Sequence, residues 1–192
     1  MSAPRSLTTK LIHGSLMLAV TWQLLGSNLM ERPRFAAPGN FFYEVHEWVG
    51  LATLVIVVVF WLWTALRRRE TRLAALLPWF SGAGWRAVLT DARAHWAAVR
   101  ALKLPDPTAD TPLASAVHGL GLLTALAMAA TGGLLYLQAL PGGLVLEVHK
   151  IVSNLMWAYV VGHAGLAVLH QMAGHRMLQR MFGRDTRSET SQ

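Results

Sequence analysis

The chain has 192 residues, of which 54% are hydrophobic and only 14% are charged, and its mean hydropathy is +0.38. Because soluble domains are closer to a quarter charged, this composition predicts an integral membrane protein. The absence of cysteine excludes disulfides, iron–sulfur clusters, thiol catalysis and covalent haem attachment. A formal charge of +7 raises nucleic acid as a partner, but the charges are distributed as in a membrane topology, so we expect none.

Four apolar segments are each long enough to cross a bilayer, at about residues 8–30, 41–66, 112–140 and 144–172. The first lacks a small-residue cleavage motif and is interpreted as a retained span, not a signal peptide. The second ends in Trp61, Trp63 and a run of arginines, which is typical of a membrane interface. The fold class predicted from this pattern is all-α: a membrane four-helix bundle forming a single domain over residues 1–192.

Residues 67–111 form a connection between the second and third spans and contain no segment long enough to cross a membrane. Within it, GWRAVLTDARAHWAAVRALK places Trp, Val and Leu at mixed three- and four-residue spacings, with arginine at every seventh position. The pattern predicts an amphipathic helix, which we interpret as lying at the membrane surface. An ordinary loop helix packed against the bundle fits the pattern equally well, and both interpretations stay open.

The basic residues orient the four spans. All but three of the 17 Lys and Arg residues lie in the N-terminal segment, the 67–111 connection and the C-terminal tail. The exceptions are Arg32, Arg34 and Lys150. Since basic residues concentrate on the cytoplasmic side, both termini and the 67–111 loop are predicted to be cytoplasmic.

The fourth predicted span carries His149, His163 and His170 at offsets of fourteen and then seven residues. In a helix, these offsets return to within about 40° and about 20° of the starting direction, so the three imidazoles share one face. His149 and His163 are then separated by roughly 21 Å along the helix axis, most of the roughly 30 Å hydrocarbon core. One helix therefore offers an imidazole near each side of the membrane.

The topology pairs these histidines with others at matching depths. His46, early in the second span, lies near the outer face like His149, and His13 lies near the cytoplasmic side like His163. Two imidazoles from facing helices on one iron make a six-coordinate haem, which transfers electrons and has no open axial position for oxygen. We therefore predict two non-covalent haem b groups, with His46 and His149 as axial ligands of one and His13 and His163 of the other.

Other polar residues have competing interpretations. His118 lies at nearly the same depth as His13 and competes with it as ligand, or lines a quinone pocket or donates to a haem propionate. His170 is a candidate partner of a propionate or a quinone carbonyl, and Lys150 and Asn154 are candidate propionate partners of the outer haem. Anchoring at the membrane interface explains Lys150 and Asn154 equally well. No catalytic residue is assigned.

At the level of families, the chain resembles the bacterial cytochrome b561 family, whose relatives include the cytochrome b subunits of nickel–iron hydrogenases and formate dehydrogenases. The resemblance covers all four spans and is most specific in the last, where His149, His163 and His170 are followed by LQRM. It implies axial ligands at an early histidine of each of the first two spans and at two of the last, which are His13, His46, His149 and His163. It also implies a bacterial cytoplasmic membrane location.

The function expected from these features is electron transfer between a periplasmic redox partner, such as a c-type cytochrome or superoxide, and the quinone pool (ubiquinone or menaquinone). The alternative is a haem b membrane anchor for a larger respiratory dehydrogenase or hydrogenase-type complex. A haem-free transporter or scaffold whose histidines relay protons is the third hypothesis. Whether the chain is an enzyme stays open; if it is one, it is an oxidoreductase acting with quinone. Besides quinone and a redox protein, membrane lipids are expected partners.

Overall fold

The computed structural model describes residues 5–35, 37–67, 70–104, 111–137, 143–175 and 181. These residues form α-helices joined by connections, with one isolated β-bridge between Arg34 and Ala37. The all-α prediction is confirmed for this part of the chain. The helices are α1 (Leu7–Gly26), α2 (Phe41–Leu66), α3 (Leu73–Leu76), α4 (Gly82–Arg100), α5 (Pro112–Leu137) and α6 (Leu144–Met172), with a 3₁₀ turn at Pro78–Phe80.

Two of the predicted spans, 41–66 and 144–172, have the bounds of α2 and α6. Helix α5 begins where the third span was predicted to begin, and the last three residues of that prediction lie outside the described residues. Helix α1 ends at Gly26, four residues before the predicted end of the first span at about residue 30. There the side chains of Ser27 and Asn28 both donate to the carbonyl of Leu24, at 2.9 and 2.8 Å. Side-chain donors that take up a helix's last carbonyls favour its termination.

Among the described helices, α2, α5 and α6 are long and apolar enough to cross a membrane. Helix α1 is 20 residues long, includes Lys10 and Gln23, and does not belong to this group. The fourth span therefore stays a prediction. Large apolar side chains are exposed along the spans, including Val55 of α2 at 63% and Leu155 of α6 at 57%. Such exposure suits helices whose surroundings are lipid.

Helix α2 begins at a side-chain cap. The backbone N–H of Tyr43 donates to Oδ1 of Asn40 at 3.1 Å, and the Asn40 amide donates to the carbonyl of Leu29 at 2.9 Å. The N–H of Glu31 donates to the same Oδ1 at 3.1 Å. Asparagine is a favoured N-cap because its side chain satisfies an amide that the helix leaves open. Here it also ties the connection between α1 and α2 to the start of α2.

The chain divides into two compact units. The first unit contains Met1–Lys10, Arg67–Gly119 and Val160–Gln192, and the second contains Leu11–Leu66 and Leu120–Tyr159. The prediction of a single domain over residues 1–192 stays a prediction.

In the second unit, the core includes Leu24, Val57 and Met156, which are at most 3% exposed. Helices α5 and α6 meet closely at Gly121, where an added Cβ would overlap the ring of Tyr159. Only glycine permits this approach, because any side chain at residue 121 would displace the aromatic ring.

In the first unit, the N-terminal end of α1 is held by hydrogen bonds to the segment that follows α2. The N–H of Ser6 donates to Oε1 of Glu70 at 3.1 Å, and Arg67 pairs with the same carboxylate at 3.4 Å. The side chains of Arg67 and Glu70 are only 7% and 6% exposed. We call this group of residues the polar clasp; it consists of Arg5, Ser6, Thr9, Arg67, Glu70 and Thr71.

Helix α4 also belongs to the first unit, and it begins two residues before the segment 84–103 that was predicted to be an amphipathic helix and covers most of that segment. Ser81 caps it by accepting a hydrogen bond from the N–H of Gly84 at 3.0 Å. The carboxylate of Asp91 accepts from the N–H of Leu113 at 2.9 Å, so α4 caps the start of α5. An anionic side chain at a helix N-terminus is stabilising, because it complements the helix dipole.

Candidate functional site

The second unit brings together two histidines from different helices, His46 of α2 and His149 of α6. Their ring centroids are 6.3 Å apart and the ring planes are nearly perpendicular, at 84°. These are the two residues that the topology paired at the outer side. Each lies close to the start of its helix, so the two helix starts must lie side by side for the rings to face each other.

A cavity that is partly open to the surroundings lies against both imidazoles. Its wall is mostly apolar, as expected of a site that receives a flat, largely apolar ligand. The lining residues include Val20, Gln23, Leu24, Arg32, Tyr43, Glu47, Gly50, Leu51, Met128, Ala129, Gly132, Leu135 and Met156.

The orientation of His149 is held by Thr131 of α5, whose hydroxyl oxygen lies 2.8 Å from Nδ1. The same hydroxyl donates to the backbone carbonyls of Ala127 and Met128, at 2.7 and 3.0 Å. Because a hydroxyl has one proton and carbonyls only accept, we assign Nδ1 of His149 as the donor to Thr131. Nε2 then carries a lone pair, the form in which an imidazole binds a metal.

The other imidazole, His46, is oriented differently. Its Nδ1 is buried and has no hydrogen-bond partner among the described residues. Its backbone carbonyl accepts from Nε2 of Gln23 at 2.8 Å, and this amide occupies the space beside Gly50. A Cβ at Gly50 would lie 2.8 Å from Nε2 of Gln23. Gly50 therefore leaves room for Gln23, as well as lining the cavity.

The second unit fits a haem held by two histidines. Metal–imidazole bonds are about 2 Å long and each ring nitrogen lies roughly 1 Å from its ring centre, so two imidazoles on one metal have centroids about 6 Å apart. The observed 6.3 Å agrees with this spacing. The unpartnered nitrogen of His46 is a buried polar atom that a metal would satisfy. A Cβ at Gly132 would lie 3.3 Å from Cε1 of His149, so this glycine keeps the space beside the ring open.

The first unit contains another histidine pair, His118 of α5 and His163 of α6. Their ring centroids are 5.0 Å apart with the planes again at 84°. Nδ1 of His118 lies 2.6 Å from the carbonyl of Ala114, one turn earlier in the same helix. Since a carbonyl only accepts, Nδ1 carries the proton. The sequence placed His118 and His163 at a similar depth, with His118 as the competitor of His13.

The remaining predicted residues are placed as follows. His13 is half-buried on α1 in the second unit, and its pairing with His163 stays a prediction. His170 is 4% exposed, and its Nδ1 lies 3.1 Å from Nδ1 of His175. Lys150 pairs with Glu147 at 2.8 Å and is about half exposed, and Asn154 is exposed on α6. Neither Lys150 nor Asn154 is among the residues that line the cavity.

Sequence reasoning missed three residues: Arg32 and Gln23, which line this cavity, and Thr131, which is hydrogen-bonded to His149. Arg32 is near enough to act electrostatically on both His46 and His149. The sequence signal for Arg32 was available, because it is one of very few basic residues predicted outside the cytoplasm. Thr131 and Gln23 have no such signal, because their contacts depend on how the helices are rotated against each other.

Three candidate membrane spans among the described residues, and two facing imidazoles at the wall of a cavity, are typical of a membrane protein of the cytochrome b class. A family model described as prokaryotic cytochrome b561 matches residues 5–184. This match covers nearly all of the 192 residues, so the chain belongs to the prokaryotic cytochrome b561 family. The resemblance identified from the sequence is confirmed.

No curated protein and no solved structure matches the chain. Membership of the family implies a b-type haem and electron transfer in a membrane. The number of haems, the redox partners and the direction of electron flow are matters for proposal.

Proposed function

We propose that this chain is a membrane electron carrier with two b-type haems, which exchanges electrons between a redox partner outside the cytoplasm and the quinone pool. The observation that carries the proposal is the His46–His149 pair, whose 6.3 Å spacing at a cavity wall suits two ligands of one iron. Haem supplies one-electron chemistry at iron, and two axial imidazoles leave no position for oxygen.

The residues of the second unit have separable roles in this proposal. His46 and His149 would hold the iron, and Thr131 keeps Nδ1 of His149 protonated, which leaves Nε2 available to bind it. The apolar wall excludes water and gives the porphyrin a surface to pack against. Arg32, a basic side chain at this wall, is the residue suited to neutralise the carboxylates of the porphyrin. Lys150, which pairs with Glu147, is less suited.

For the second haem we retain the predicted pair His163 and His13, and not His163 and His118. The 5.0 Å between the rings of His118 and His163 is shorter than the roughly 6 Å that two ligands of one metal require, and matches direct ring contact. His118 is then a positioning residue for His163. The buried His170, beside His175, is the candidate for contact with a propionate or with quinone.

The proposed location is the cytoplasmic membrane of a bacterium, with four spans and both termini in the cytoplasm. The distribution of lysine and arginine supports this orientation. The connection between α1 and α2, residues 27–40, is short and tied down by Asn40. This supports a small soluble partner such as a c-type cytochrome, or superoxide, over a large subunit. Co-purification of a hydrophilic dehydrogenase or hydrogenase subunit with the chain would instead favour the membrane-anchor function.

The proposal is tested by comparing His13→Ala with His118→Ala in detergent-purified protein. We expect His13→Ala to lose one haem and His118→Ala to retain both, with the spectrum of one haem shifted. Quinol added to the wild type should reduce haem. His13→Ala should slow this reduction, because the haem on the cytoplasmic side, which is proposed to exchange electrons with quinone, is lost. Loss of a haem in His118→Ala but not in His13→Ala would reverse the ligand assignment. Failure of quinol to reduce haem in the wild type would contradict the proposed electron acceptor.

A further inference from the structure

One side of helix α4 packs against the rest of the first unit, and Trp85 beside this side has its ring centroid 5.9 Å from that of Trp79. Val88 on this side is 7% exposed, and a Cβ at Gly84 would lie 2.8 Å from the carbonyl oxygen of Pro78. Asp91 reaches Leu113, and His95 pairs with Asp91 at 3.1 Å. Residues 84, 88, 91 and 95 recur at helical spacing, so they form one stripe along α4.

A second stripe, next to the packed one, is apolar and exposed. We call it the apolar face of α4; it consists of Trp85, Leu89, Trp96 and Val99. Their exposed fractions are 47%, 39%, 65% and 50%. At about 100° per residue, these positions lie within roughly 80° of one another around the helix. Contiguous exposed apolar side chains of this kind mark an interaction site or a membrane contact.

Positive charge borders this face. Arg86, Arg93 and Arg100 are exposed and follow one another at seven-residue intervals, roughly 60° to 100° around the helix from Trp85. The acidic residue of α4, Asp91, is on the packed side and is engaged by His95 and Leu113. The exposed side of α4 therefore carries three positive charges and no negative charge.

The position of α4 in the chain places it beside a membrane. It lies between α2 and α5, which are both candidate spans, and a connection between consecutive spans begins and ends at the same membrane surface. Tryptophan is enriched at the interface between lipid and water. A helix with Trp and Leu on one face and arginine beside it is the type that lies in that layer, with its cations at anionic headgroups.

We infer that the apolar face of α4 lies in the interfacial layer of the bilayer, with Arg86, Arg93 and Arg100 on the phosphates of anionic lipids. The three positive charges favour a surface of anionic lipids over a neutral lipid surface. The chain connects α4 to a candidate span on each side, which keeps the helix at the membrane surface. The inference uses the membrane nature of the chain and does not depend on haem or quinone. Helix α4 thereby anchors the first unit to the membrane.

The chain has no cysteine, so one introduced cysteine is a unique site for a spin label. Leu89→Cys places the label on the apolar face, and Ala94→Cys places it on an exposed position roughly 140° away. The full chain is reconstituted in phosphatidylcholine vesicles with or without phosphatidylglycerol. Collisions of the label with oxygen report on the lipid phase, and collisions with a water-soluble nickel chelate report on water.

We expect the ratio of oxygen to chelate accessibility to be severalfold higher at residue 89 than at residue 94, and highest with phosphatidylglycerol. Replacing the three arginines by glutamine should remove the dependence on anionic lipid. Val99→Cys serves as a second site on the apolar face should Leu89→Cys lose its helical circular dichroism. Equal ratios at the labelled positions in both kinds of vesicle would overturn the inference. So would a label at residue 89 that is shielded from the chelate only after a soluble protein is added.

Discussion

The two histidine pairs of this chain share an orientation but differ in spacing. In both, the ring planes meet at 84°, yet the centroids are 6.3 Å apart for His46 and His149 and 5.0 Å apart for His118 and His163. The first distance leaves room for a metal between the rings, and the second brings the rings into contact. The spacing therefore supports the proposal that His46 and His149 share an iron and that His118 and His163 make a packing contact.

The pairs also differ in what orients them. His149 is held by a side chain of another helix, Thr131 of α5, whereas His118 is held by the carbonyl of Ala114 in its own helix. The hydrogen bond between Thr131 and His149 joins two helices, so it fixes the His149 ring relative to α5. The hydrogen bond between His118 and Ala114 lies within one helix, so it fixes the direction of the His118 ring relative to its own helix.

The largest expected effect comes from His149→Ala. If His46 and His149 share an iron, this change should remove one haem and leave the other, because one axial imidazole cannot hold the iron in its six-coordinate state. Haem content per polypeptide, measured with the reduced-minus-oxidised spectrum, gives the readout. Lys150→Ala is the matched control on the next residue and should keep the wild-type haem content. Retention of the full haem content in His149→Ala would show that His149 is not a ligand of either haem.

An intermediate effect is expected from Gly132→Ala. The added Cβ would lie 3.3 Å from Cε1 of His149, so the ring must shift by a few tenths of an ångström and haem should be retained less well. Gly133→Ala is the control, because its Cβ would make an ordinary contact of 3.5 Å with Leu54. The haem lost during gel filtration in detergent is the measurement. Equal losses in the two variants would mean that the space beside His149 is not part of the haem site.

A smaller effect is expected from Thr131→Val, which keeps the shape of the side chain and removes the hydroxyl. Outer hydrogen bonds to a ligating histidine typically change metal affinity by about tenfold or more, so the haem of this site should dissociate about tenfold more readily. Thr124→Val is the control, because Thr124 is on the same helix and donates to the carbonyl of Leu120, and it has no hydrogen bond to a histidine among the described residues. Transfer of haem to apomyoglobin measures the rate. Identical rates in the two variants would show that the Thr131 hydroxyl does not stabilise haem binding at this site.

The smallest expected effect is a loss of stability in acid, which arises from Glu70 in the first unit. Burial raises the pKa of the Glu70 carboxyl, but hydrogen bonds from Ser6 and Thr9 and the charge of Arg67 outweigh it, so the pKa lies below its ordinary 4.5. A lowered folded-state pKa stabilises the fold above pH 4.5, and this contribution is lost as the pH falls through the lowered value. The unfolding temperature should therefore fall in acid for the wild type.

Glu70→Gln isolates this contribution. It should unfold at a lower temperature than the wild type near neutral pH, and the difference should shrink below pH 4.5, the ordinary pKa of Glu70. Glu31→Gln, on an exposed glutamate outside the polar clasp, should follow the wild type at every pH. A constant difference between Glu70→Gln and the wild type at all pH values would show that the clasp is not stabilised by the ionised carboxylate.

Much of the fold was predictable because it is encoded in local patterns. The bounds of α2 and α6 follow from long apolar segments, with Asn40 before one and Gly143 before the other. The end of α1 was not predictable from hydropathy, because Ser27 and Asn28 end the helix by bonding the Leu24 carbonyl while apolar residues continue beyond it.

Of the candidate site, the facing pair His46 and His149 was predictable from the sequence. Depth along the helices was enough to pair His46 with His149, because both lie near the starts of spans that begin on the same side. The contacts of Thr131 and Gln23 depend on the rotation of each helix about its axis, to which hydropathy is insensitive. The 5.0 Å contact of His118 with His163 likewise needed coordinates, since depth alone left His118 as the competitor of His13.

The proposal of two haem sites is tested most directly by the haem content of the wild-type chain. The chain is purified in detergent, and haem per polypeptide is measured alongside reduced-minus-oxidised spectra. We predict close to two low-spin b haems per chain, one held by His46 and His149 and the other by His13 and His163. One haem per chain would remove the second site and with it the path between the two sides of the membrane. A purified protein without haem would contradict the account as a whole.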